Sequence, residues 1–111
     1  RHEPMLHADV RRTIRLLLLS RQCSRADVAK RLGIHPRTLG RRLQESGTTF
    51  QALLDDMRAQ MAKQLLLDTR LPVARIAAAV GYEDPTIFSR AFARWTGRTP
   101  SEFRAELVAR A

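Results

Sequence analysis

Residues 76–104 read IAAAVGYEDPTIFSRAFARWTGRTPSEFR, and residues 28–50 carry the same pattern as VAKRLGIHPRTLGRRLQESGTTF. Each copy opens with an aliphatic residue followed by alanine, and a glycine stands five positions after that aliphatic residue. A proline follows, then two large apolar residues four positions apart with an arginine between them, and each copy closes with Gly-x-Thr. The chain therefore contains one structural unit twice.

The first copy contains residues that typically start and end two short helices. Ser24 offers an N-cap with Asp27 three residues later, and the helix that they open is predicted to stop at Gly33. Pro36 suits the first turn of the next helix, because its missing N–H would have no helical partner there anyway. This second helix is predicted over residues 36–46 and ends at a glycine.

The second copy follows the same plan. It predicts a helix over residues 73–80, a turn near Gly81 and a helix over residues 85–95 that Asp84 and Pro85 open. This last helix is expected to bury the apolar side chains Ile87, Phe88, Ala91, Phe92 and Trp95. A short helix, a tight turn and a second helix together form a helix-turn-helix, a unit with which many proteins bind DNA.

Further helices are predicted before and between the copies. Apolar residues at helical spacing indicate a supporting helix over residues 8–20. Thr48 and Gln51 have the spacing of a capping box, which opens the longest helix, over residues 50–68. Two sulfur-containing side chains of this helix are expected in the core, Met57 and Met61.

A last helix is predicted from Thr99, Pro100 and Glu102, which supply a cap, a first-turn proline and a capping acid. No segment has the alternating pattern of a strand. We therefore expect an all-α fold of about seven helices, with two helix-turn-helix subdomains joined by a long central helix. The first subdomain with its supporting helix, the linker helix and the second subdomain are predicted over residues 1–49, 50–68 and 69–111.

The charge of the chain points to nucleic acid. The formal net charge is +9, the pI is near 11.5, and most of the cations are arginines. The charge is uneven, since residues 24–46 hold six basic and two acidic side chains while residues 50–68 hold two and three. Arginine presents a planar fork that fits phosphate groups and guanine edges, so double-stranded DNA is the partner that this composition favours.

Other chemistry has little support in the sequence. The single cysteine, Cys23, excludes an internal disulfide and a multi-cysteine zinc site. His2, His7 and His35 lack metal-ligand spacing, so neither a metal nor another cofactor is expected. The adjacent carboxylates Asp55 and Asp56 on the central helix point in different directions and form no acid–base pair. We therefore expect no catalytic residue and no enzyme.

Two further expectations concern the setting of the chain. The apolar run Leu16–Leu19 is too short for a membrane span or a signal-peptide core, which favours a cytoplasmic protein without a membrane partner. Arg1 stands where an initiator methionine would be, which suggests a piece of a longer protein.

Residues 76–104 resemble the signature of the DNA-binding domain of AraC-type transcription regulators, and the likeness covers residues 8–106 less specifically. The resemblance implies a bacterial regulator that binds promoter or operator DNA in the nucleoid through two helix-turn-helix units. It also implies an effector-binding or dimerisation domain outside this chain, most often on its N-terminal side. RNA polymerase is the further partner that it implies for the full-length regulator.

The length of the central helix suits a domain in which two recognition helices bind the same DNA duplex. A helix over residues 50–68 would be about 28 Å long at 1.5 Å per residue. B-DNA presents its major groove on one face about every 34 Å. With the widths of the flanking elements added, we expect the two recognition helices to enter successive major-groove segments.

The first recognition helix carries the strongest candidates for base reading. Leu39 and Leu43 face inward, which leaves Arg37, Gly40 and Arg41 on the other side. The two arginines are predicted to bond guanine edges, with phosphate contact or solvation as the alternative. Gly40 either lets the backbone approach the DNA or leaves a contact position of the family without a side chain.

By resemblance, the outward positions of the second recognition helix face the bases: Pro85, Thr86, Ser89 and Arg90. Arg90 is the best candidate for base reading among them, although its position also suits a structural role or a phosphate contact. We expect this helix to discriminate sequences less than the first. Phosphate contacts are predicted beside the readers and at helix N-termini, whose N–H groups attract anions: Thr38, Arg42, Thr48, Thr49, Arg94, Thr99 and Ser101. For the residues at helix starts, simple capping is the alternative.

Two other functions stay open. The chain could be the DNA-binding module of a larger protein such as an alkyl-transfer repair regulator, although Cys23 lacks the surroundings of an activated acceptor. It could also be a basic helical module that binds an acidic protein, although such grooves usually need an exposed apolar stripe. The outward arginines in both copies favour DNA.

Overall fold

The structure, a computed structural model, describes residues 3–20 and 23–110. Within these ranges the chain forms seven helices and no strand, which confirms the predicted all-α fold. In chain order the helices are α1 (Pro4–Ser20), α2 (Arg25–Leu32), α3 (Pro36–Glu45), α4 (Phe50–Asp68), α5 (Val73–Ala79), α6 (Pro85–Thr96) and α7 (Pro100–Arg110). None of these helices is both long enough and apolar enough to cross a membrane. The expectations drawn from Arg1 and His2 fall on residues outside the described ranges.

The helices group into two compact units, of which the first ends at Met57 and the second begins at Arg58. The boundary falls inside α4, so each unit contains a part of that helix. The division into residues 1–49, 50–68 and 69–111 follows the helix pattern instead and stays a prediction.

α1 begins at Pro4, four residues before the predicted start at residue 8. The reason is that Leu6 lies one turn before Val10 and is buried with it, so the apolar face starts a turn earlier than the pattern indicated. Thr13 is buried as well, and its hydroxyl donates to the carbonyl of Asp9 at 2.8 Å, which satisfies that polar group.

The capping box that opens α2 is confirmed. The Ser24 hydroxyl accepts from the Asp27 N–H at 3.0 Å, and the Asp27 carboxylate accepts from the Ser24 N–H at 3.2 Å. Hydrogen bonds from the hydroxyl and then from the N–H of Ser24 lower the pKa of Asp27, because they favour the charged carboxylate. α2 ends at Gly33, whose φ of 74° lies in the left-handed region that glycine adopts without strain.

The capping box predicted at Thr48 and Gln51 is wrong. The cap of α4 is Thr49, whose hydroxyl accepts from a backbone N–H three residues on at 3.0 Å. The Thr48 N–H donates instead to the carbonyl of Leu43 at 3.0 Å and closes α3, because Gly47 turns the chain there with a φ of 89°. The cap is therefore displaced by one residue, while α4 spans the predicted range.

The core of the first unit is aliphatic. Its fully buried large side chains are Val10, Ile14, Val28, Leu39, Leu43 and Met57. Leu39 and Leu43 lie one turn apart on α3, which fixes the rotation of that helix about its axis. The core position predicted for Met57 is confirmed.

The core of the second unit is built around aromatic rings. Phe88 and Phe92 lie one turn apart on α6 and are fully buried, with ring centroids 5.9 Å apart. Tyr82, Trp95 and Phe103 extend this cluster, with neighbouring centroids 5.7 to 6.0 Å apart. Such ring pairs add about 0.5–1.5 kcal/mol beyond the area that they bury. Trp95 and Met61, both predicted in the core, are half-buried and pack against its edge.

The prediction that Ile87 is buried is wrong, since 56% of its surface is exposed. Phe88 and Phe92 fix the inward face of α6, and neighbouring residues of a helix point about 100° apart at 3.6 residues per turn. Ile87 is therefore rotated out of the core by its larger neighbour.

α7 begins with the predicted capping box. The Thr99 hydroxyl accepts from the Glu102 N–H at 3.1 Å, and the Glu102 carboxylate accepts from the Thr99 N–H at 2.8 Å. Bonds from the backbone and then from the side chain of Thr99 lower the pKa of Glu102. Further along α7, Arg104 donates to carbonyls at and after the end of α4, at 2.7 Å for Leu71 and 3.3 Å for Leu66. This side chain satisfies carbonyls that the helix end leaves without backbone partners.

Candidate nucleic-acid interface

The first unit exposes one face of α3 while the opposite face is buried. Leu39 and Leu43 are inaccessible to solvent, whereas Arg37 and Arg41 are exposed. The exposed side forms part of a shallow concave surface, here called the α3 basic surface, which is lined by Arg25, Arg37, Gly40, Arg41, Gln44, Thr49 and Phe50. The structure thus brings the three base-reading candidates of α3 together on one surface.

Arg41 has a carboxylate partner on its own helix. Its Nη1 lies 3.3 Å from Glu45 Oε1, one turn further along α3, and both side chains are more than half exposed. An exposed ion pair of this kind contributes only about 0.2–1 kcal/mol. Arg41 can therefore exchange this partner for an acceptor on DNA at little cost.

Arg42 lies against α1. Its Nη2 donates to Glu3 Oε1 at 2.6 Å, and this bond raises the pKa of Arg42. Beside it, His7 Nε2 and the Ser46 hydroxyl are hydrogen-bonded at 2.7 Å. Arg42 thus joins α3 to the residue before α1, and a phosphate contact from this side chain, which stays a prediction, would have to share or replace Glu3.

The structure adds Arg25 to the surface, a residue that the sequence reasoning did not single out. Arg25 is the first residue of α2, and its side chain runs across α3 at Gly40. A Cβ atom placed on Gly40 would lie 3.2 Å from Arg25 Nη1 and 3.9 Å from Arg25 Cζ. The sequence shows an unusual glycine in the middle of α3, but only the packing of α2 on α3 shows that the side chain of Arg25 lies beside it.

The helix starts near α3 use their polar groups for capping. The side chain of His35, which the sequence reasoning did not assign as a cap, accepts from the Arg37 N–H at 3.0 Å through Nδ1. Thr49 caps α4 and lines the α3 basic surface, while the N–H of Thr48 is bonded within the turn. The Thr48 N–H is therefore already used, and Thr38 is half-buried. Phosphate contacts by these threonines stay predictions.

The second unit exposes a face of α6 in the same way. Phe88 and Phe92 are fully buried, whereas Pro85, Thr86 and Arg90 are exposed. Ser89 is half-buried, so it is the least accessible of the predicted base readers on this helix.

The N-terminus of α6 carries a negative charge. The Asp84 carboxylate caps the helix by accepting from the Thr86 N–H at 2.8 Å and from the Ile87 N–H at 3.4 Å. A carboxylate at this place repels a phosphate group, although the helix N-terminus by itself would attract one. The corresponding end of α3 is capped by an imidazole and carries no carboxylate.

Ile87 is a second residue of this surface that the sequence reasoning placed elsewhere. It lies on α6 next to Thr86 and one turn before Arg90, with more than half of its surface exposed. An exposed aliphatic side chain among polar ones can contact the methyl group of thymine. Ile87 lies between the buried and the polar face of α6. This position depends on the rotation of the helix, which the buried Phe88 and Phe92 fix and which the sequence alone does not show.

The remaining candidates for phosphate contact lie in the second unit, with Arg94 in the last turn of α6 and Thr99 and Ser101 at the start of α7. Thr99 is engaged in its capping box, while Ser101 and Arg94 are exposed. Arg98, in the same loop, forms an ion pair with Glu106. Among residues 3–20 and 23–110, no group of three or more His, Cys, Asp or Glu side chains is placed to hold a metal ion.

Comparison with known proteins gives one consistent family. The family described as a helix-turn-helix domain matches residues 28–106. The ornithine utilization regulator of Pseudomonas aeruginosa is 43% identical over 94 residues, which cover 82% of this chain and 28% of that protein. The chain spans less than a third of the length of the curated relatives that it matches, for example 22% and 28%.

Solved structures agree with the sequence match. The C-terminal domain of AraT, a response regulator from Geobacillus stearothermophilus, superposes with a TM-score of 0.80 at 34% identity, over 96% of this chain and 88% of that domain. The DNA-binding domain of the global transcriptional factor AdpA, solved in complex with a target DNA, gives a TM-score of 0.75 at 27% identity over 91% and 94%.

Proposed function

The chain belongs to the AraC-type family of helix-turn-helix DNA-binding domains, and we propose that it binds double-stranded DNA sequence-specifically through α3 and α6 together. One observation carries the proposal: in each unit the helix that follows the turn buries two large apolar side chains and exposes arginine on its other side. The buried pair fixes the rotation of the helix, so the exposed arginine extends from the side of the helix that faces away from the core.

The proposed base readers are the exposed residues of these two helices. Arg37 and Arg41 would bond guanine edges from α3, and Arg90 would do so from α6. Thr86 and Ile87 would contact a thymine methyl or a single acceptor, which gives weaker discrimination. Phosphate contacts are proposed for exposed residues beside them, in particular Thr49, Arg94 and Ser101.

Two helices that read one site must enter neighbouring turns of the major groove. The proposal places them in successive segments on one face of the duplex, about 34 Å apart.

The whole protein is proposed to be a bacterial transcription regulator that acts in the cytoplasm at the nucleoid. This follows from relatives that are several times longer than this chain and are named as regulators. An effector-binding or dimerisation domain would lie outside the chain, and RNA polymerase would be a partner of the whole protein. We propose no catalytic activity, cofactor or membrane partner for this domain.

A mobility-shift titration of the 111-residue chain against random-sequence duplex tests DNA binding. The proposal predicts binding that weakens steeply between 50 and 200 mM salt, by roughly 10³-fold or more if six phosphates are contacted, because each contact releases counterions. Absence of duplex binding at low salt, or binding that does not respond to salt, would contradict it and favour a protein partner. Transfer of a methyl group from DNA to Cys23 would favour an alkyl-transfer protein.

A further inference from the structure

Gly40 is in the middle of α3, where glycine is an unfavourable choice. Glycine destabilises a helix interior relative to alanine, because it loses more backbone freedom on folding. Its backbone is helical, so no left-handed conformation requires glycine here. The reason has to be sought in what lies next to it.

The neighbour of Gly40 is the side chain of Arg25, from the start of α2. Three atoms of Arg25, its Nη1, Cζ and Cδ, lie within 3.2 to 4.0 Å of the position that a Cβ on residue 40 would occupy. The arginine thus lies across the open backbone of α3. A Cβ atom at position 40 would require Arg25 Nη1 to move by a few tenths of an ångström, and a longer side chain would require more.

This arrangement places three guanidinium-bearing residues on one surface. Arg25, Arg37 and Arg41 all line the α3 basic surface, and none of the other residues lining it is acidic. Glu45 approaches Arg41 from beside this surface. Three like charges repel one another, so a ligand that brings negative or acceptor groups would be bound strongly there.

We propose that Arg25 takes the place of the side chain that Gly40 lacks and reads a guanine edge. The inference rests on the proposed function, because α3 must lie in the major groove for residue 40 to face the bases. It assigns specificity to a residue of α2, the first helix of the helix-turn-helix, and not to a residue of the recognition helix α3. In this role Gly40 is a positioning residue, whose bare backbone allows the guanidinium of Arg25 to lie on α3.

The test uses the 111-residue chain and a duplex site selected with the wild-type protein, together with all single-base variants of that site. Arg25→Ala is expected to reduce the preference at one base pair by about 5- to 100-fold, as loss of a bidentate guanine contact does, and to leave the other preferences unchanged. Arg25→Lys retains the charge but lacks the planar fork, so it should restore that preference only in part.

Arg31→Ala is the matched control, since Arg31 is an exposed arginine in the last turn of the same helix. It should lower affinity for all sites alike or not at all. Uniform weakening by Arg25→Ala, with rescue by lysine, would show a phosphate contact and overturn the proposal. Unchanged preferences in Arg25→Ala would overturn it as well.

Gly40→Ala supplies the independent arm. The alanine requires Arg25 Nη1 to shift by a few tenths of an ångström and should weaken the same base-pair preference in part, while thermal unfolding shows a helix at least as stable as in the wild type. In the Arg25→Ala background the added Gly40→Ala change should have no further effect on that preference. Independent, additive effects would contradict the link between the two residues.

The two proposals fail in different ways. If the wild-type chain binds no duplex, the proposed function is wrong and the role of Arg25 falls with it. If the wild type binds a selected site and the Arg25 variants keep all of its preferences, only the role of Arg25 is wrong.

Discussion

The two helix-turn-helix units have the same order of helices, but different types of side chain form their cores. α3 is held by Leu39 and Leu43 in an aliphatic core, while α6 is held by Phe88 and Phe92 in an aromatic one. Both pairs lie one turn apart and both are inaccessible to solvent. The rotation of the recognition helix is therefore set by the spacing of two buried side chains and not by their chemical type.

The outward faces differ more than the cores. α3 exposes two arginines and is crossed by a third, Arg25. α6 also exposes two arginines, Arg90 and Arg94, but its first turn exposes the uncharged side chains of Pro85, Thr86 and Ile87. At the N-terminus, α3 is capped by an imidazole and α6 by the carboxylate of Asp84. The exposed face of α3 is therefore strongly cationic, whereas the exposed face of α6 is mixed and partly apolar.

The largest expected effect concerns the cores. Phe92→Ala should lower the free energy of unfolding by about 3–5 kcal/mol, because it empties the centre of the aromatic cluster, and Leu43→Ala by about 2–5 kcal/mol. Trp95 is the chain's single tryptophan and lies in the second unit, so its fluorescence reports that unit. In chemical denaturation, Phe92→Ala should shift the Trp95 transition strongly and Leu43→Ala should shift mainly the helical circular dichroism. Equal shifts of the Trp95 signal would show that the units unfold as one.

The next effect separates the two readers. Arg41→Ala should lose about 1–3 kcal/mol of discrimination at one base position, because it removes an arginine from the cationic face. Arg90→Ala should lose less discrimination, because the position of Arg90 also suits a phosphate contact, which carries no sequence information. Competition binding against single-base variants of the selected site measures both. A loss in Arg90→Ala equal to or larger than that in Arg41→Ala would reverse the ranking of the two helices.

A smaller effect is expected from the charge at the start of α6. Asp84→Asn should keep the cap, because asparagine caps a helix about as well as aspartate, while removing a carboxylate that repels phosphate. Affinity for every duplex should then rise by about 2- to 5-fold at low salt, as expected for a charge near a helix end. Ser24→Ala is a fitting contrast, since it removes a cap from α2 and should reduce stability without raising affinity. Unchanged affinity in Asp84→Asn would place this helix end away from the phosphates.

The smallest effect is a pH dependence that both units share. Asp27 in the first unit and Glu102 in the second have folded-state pKa values below their ordinary values, because each accepts bonds within its capping box. Each therefore stabilises the fold at neutral pH, and this contribution is lost as pH falls through the lowered pKa, below about pH 4. Thermal unfolding between pH 7 and pH 3 should show a shallower decline in Asp27→Asn and Glu102→Gln than in the wild type. A decline as steep as in the wild type would mean that other carboxylates dominate.

Much of the fold could be predicted because its signals are local. Gly33, Pro36 and Asp84 mark helix ends through backbone geometry that depends on a few neighbouring residues, and the structure confirms each of them. Thr48 was mistaken for a cap because the turn at Gly47 uses its N–H, a choice between two adjacent threonines that spacing alone does not decide.

Features that depend on packing could not be predicted. Glu3 and Arg42 are 39 positions apart, and no local pattern relates them. Ile87 belongs to the apolar stripe by spacing, yet the larger Phe88 takes the inward direction. Arg25 meets Gly40 only because α2 packs on α3. The sites of base and phosphate contact stay predictions, since they require a partner to be observed.

Selection of bound sites from a random duplex library, performed in parallel with the wild type, Arg41→Ala and Arg90→Ala, would decide whether both helices read one duplex. We expect two clusters of specified bases about one helical turn, 10–10.5 bp, apart in the wild-type sites. Arg41→Ala should erase specified bases in one cluster only, and Arg90→Ala in the other only. A single cluster in the wild type, or loss at the same bases in both variants, would contradict reading by two helices.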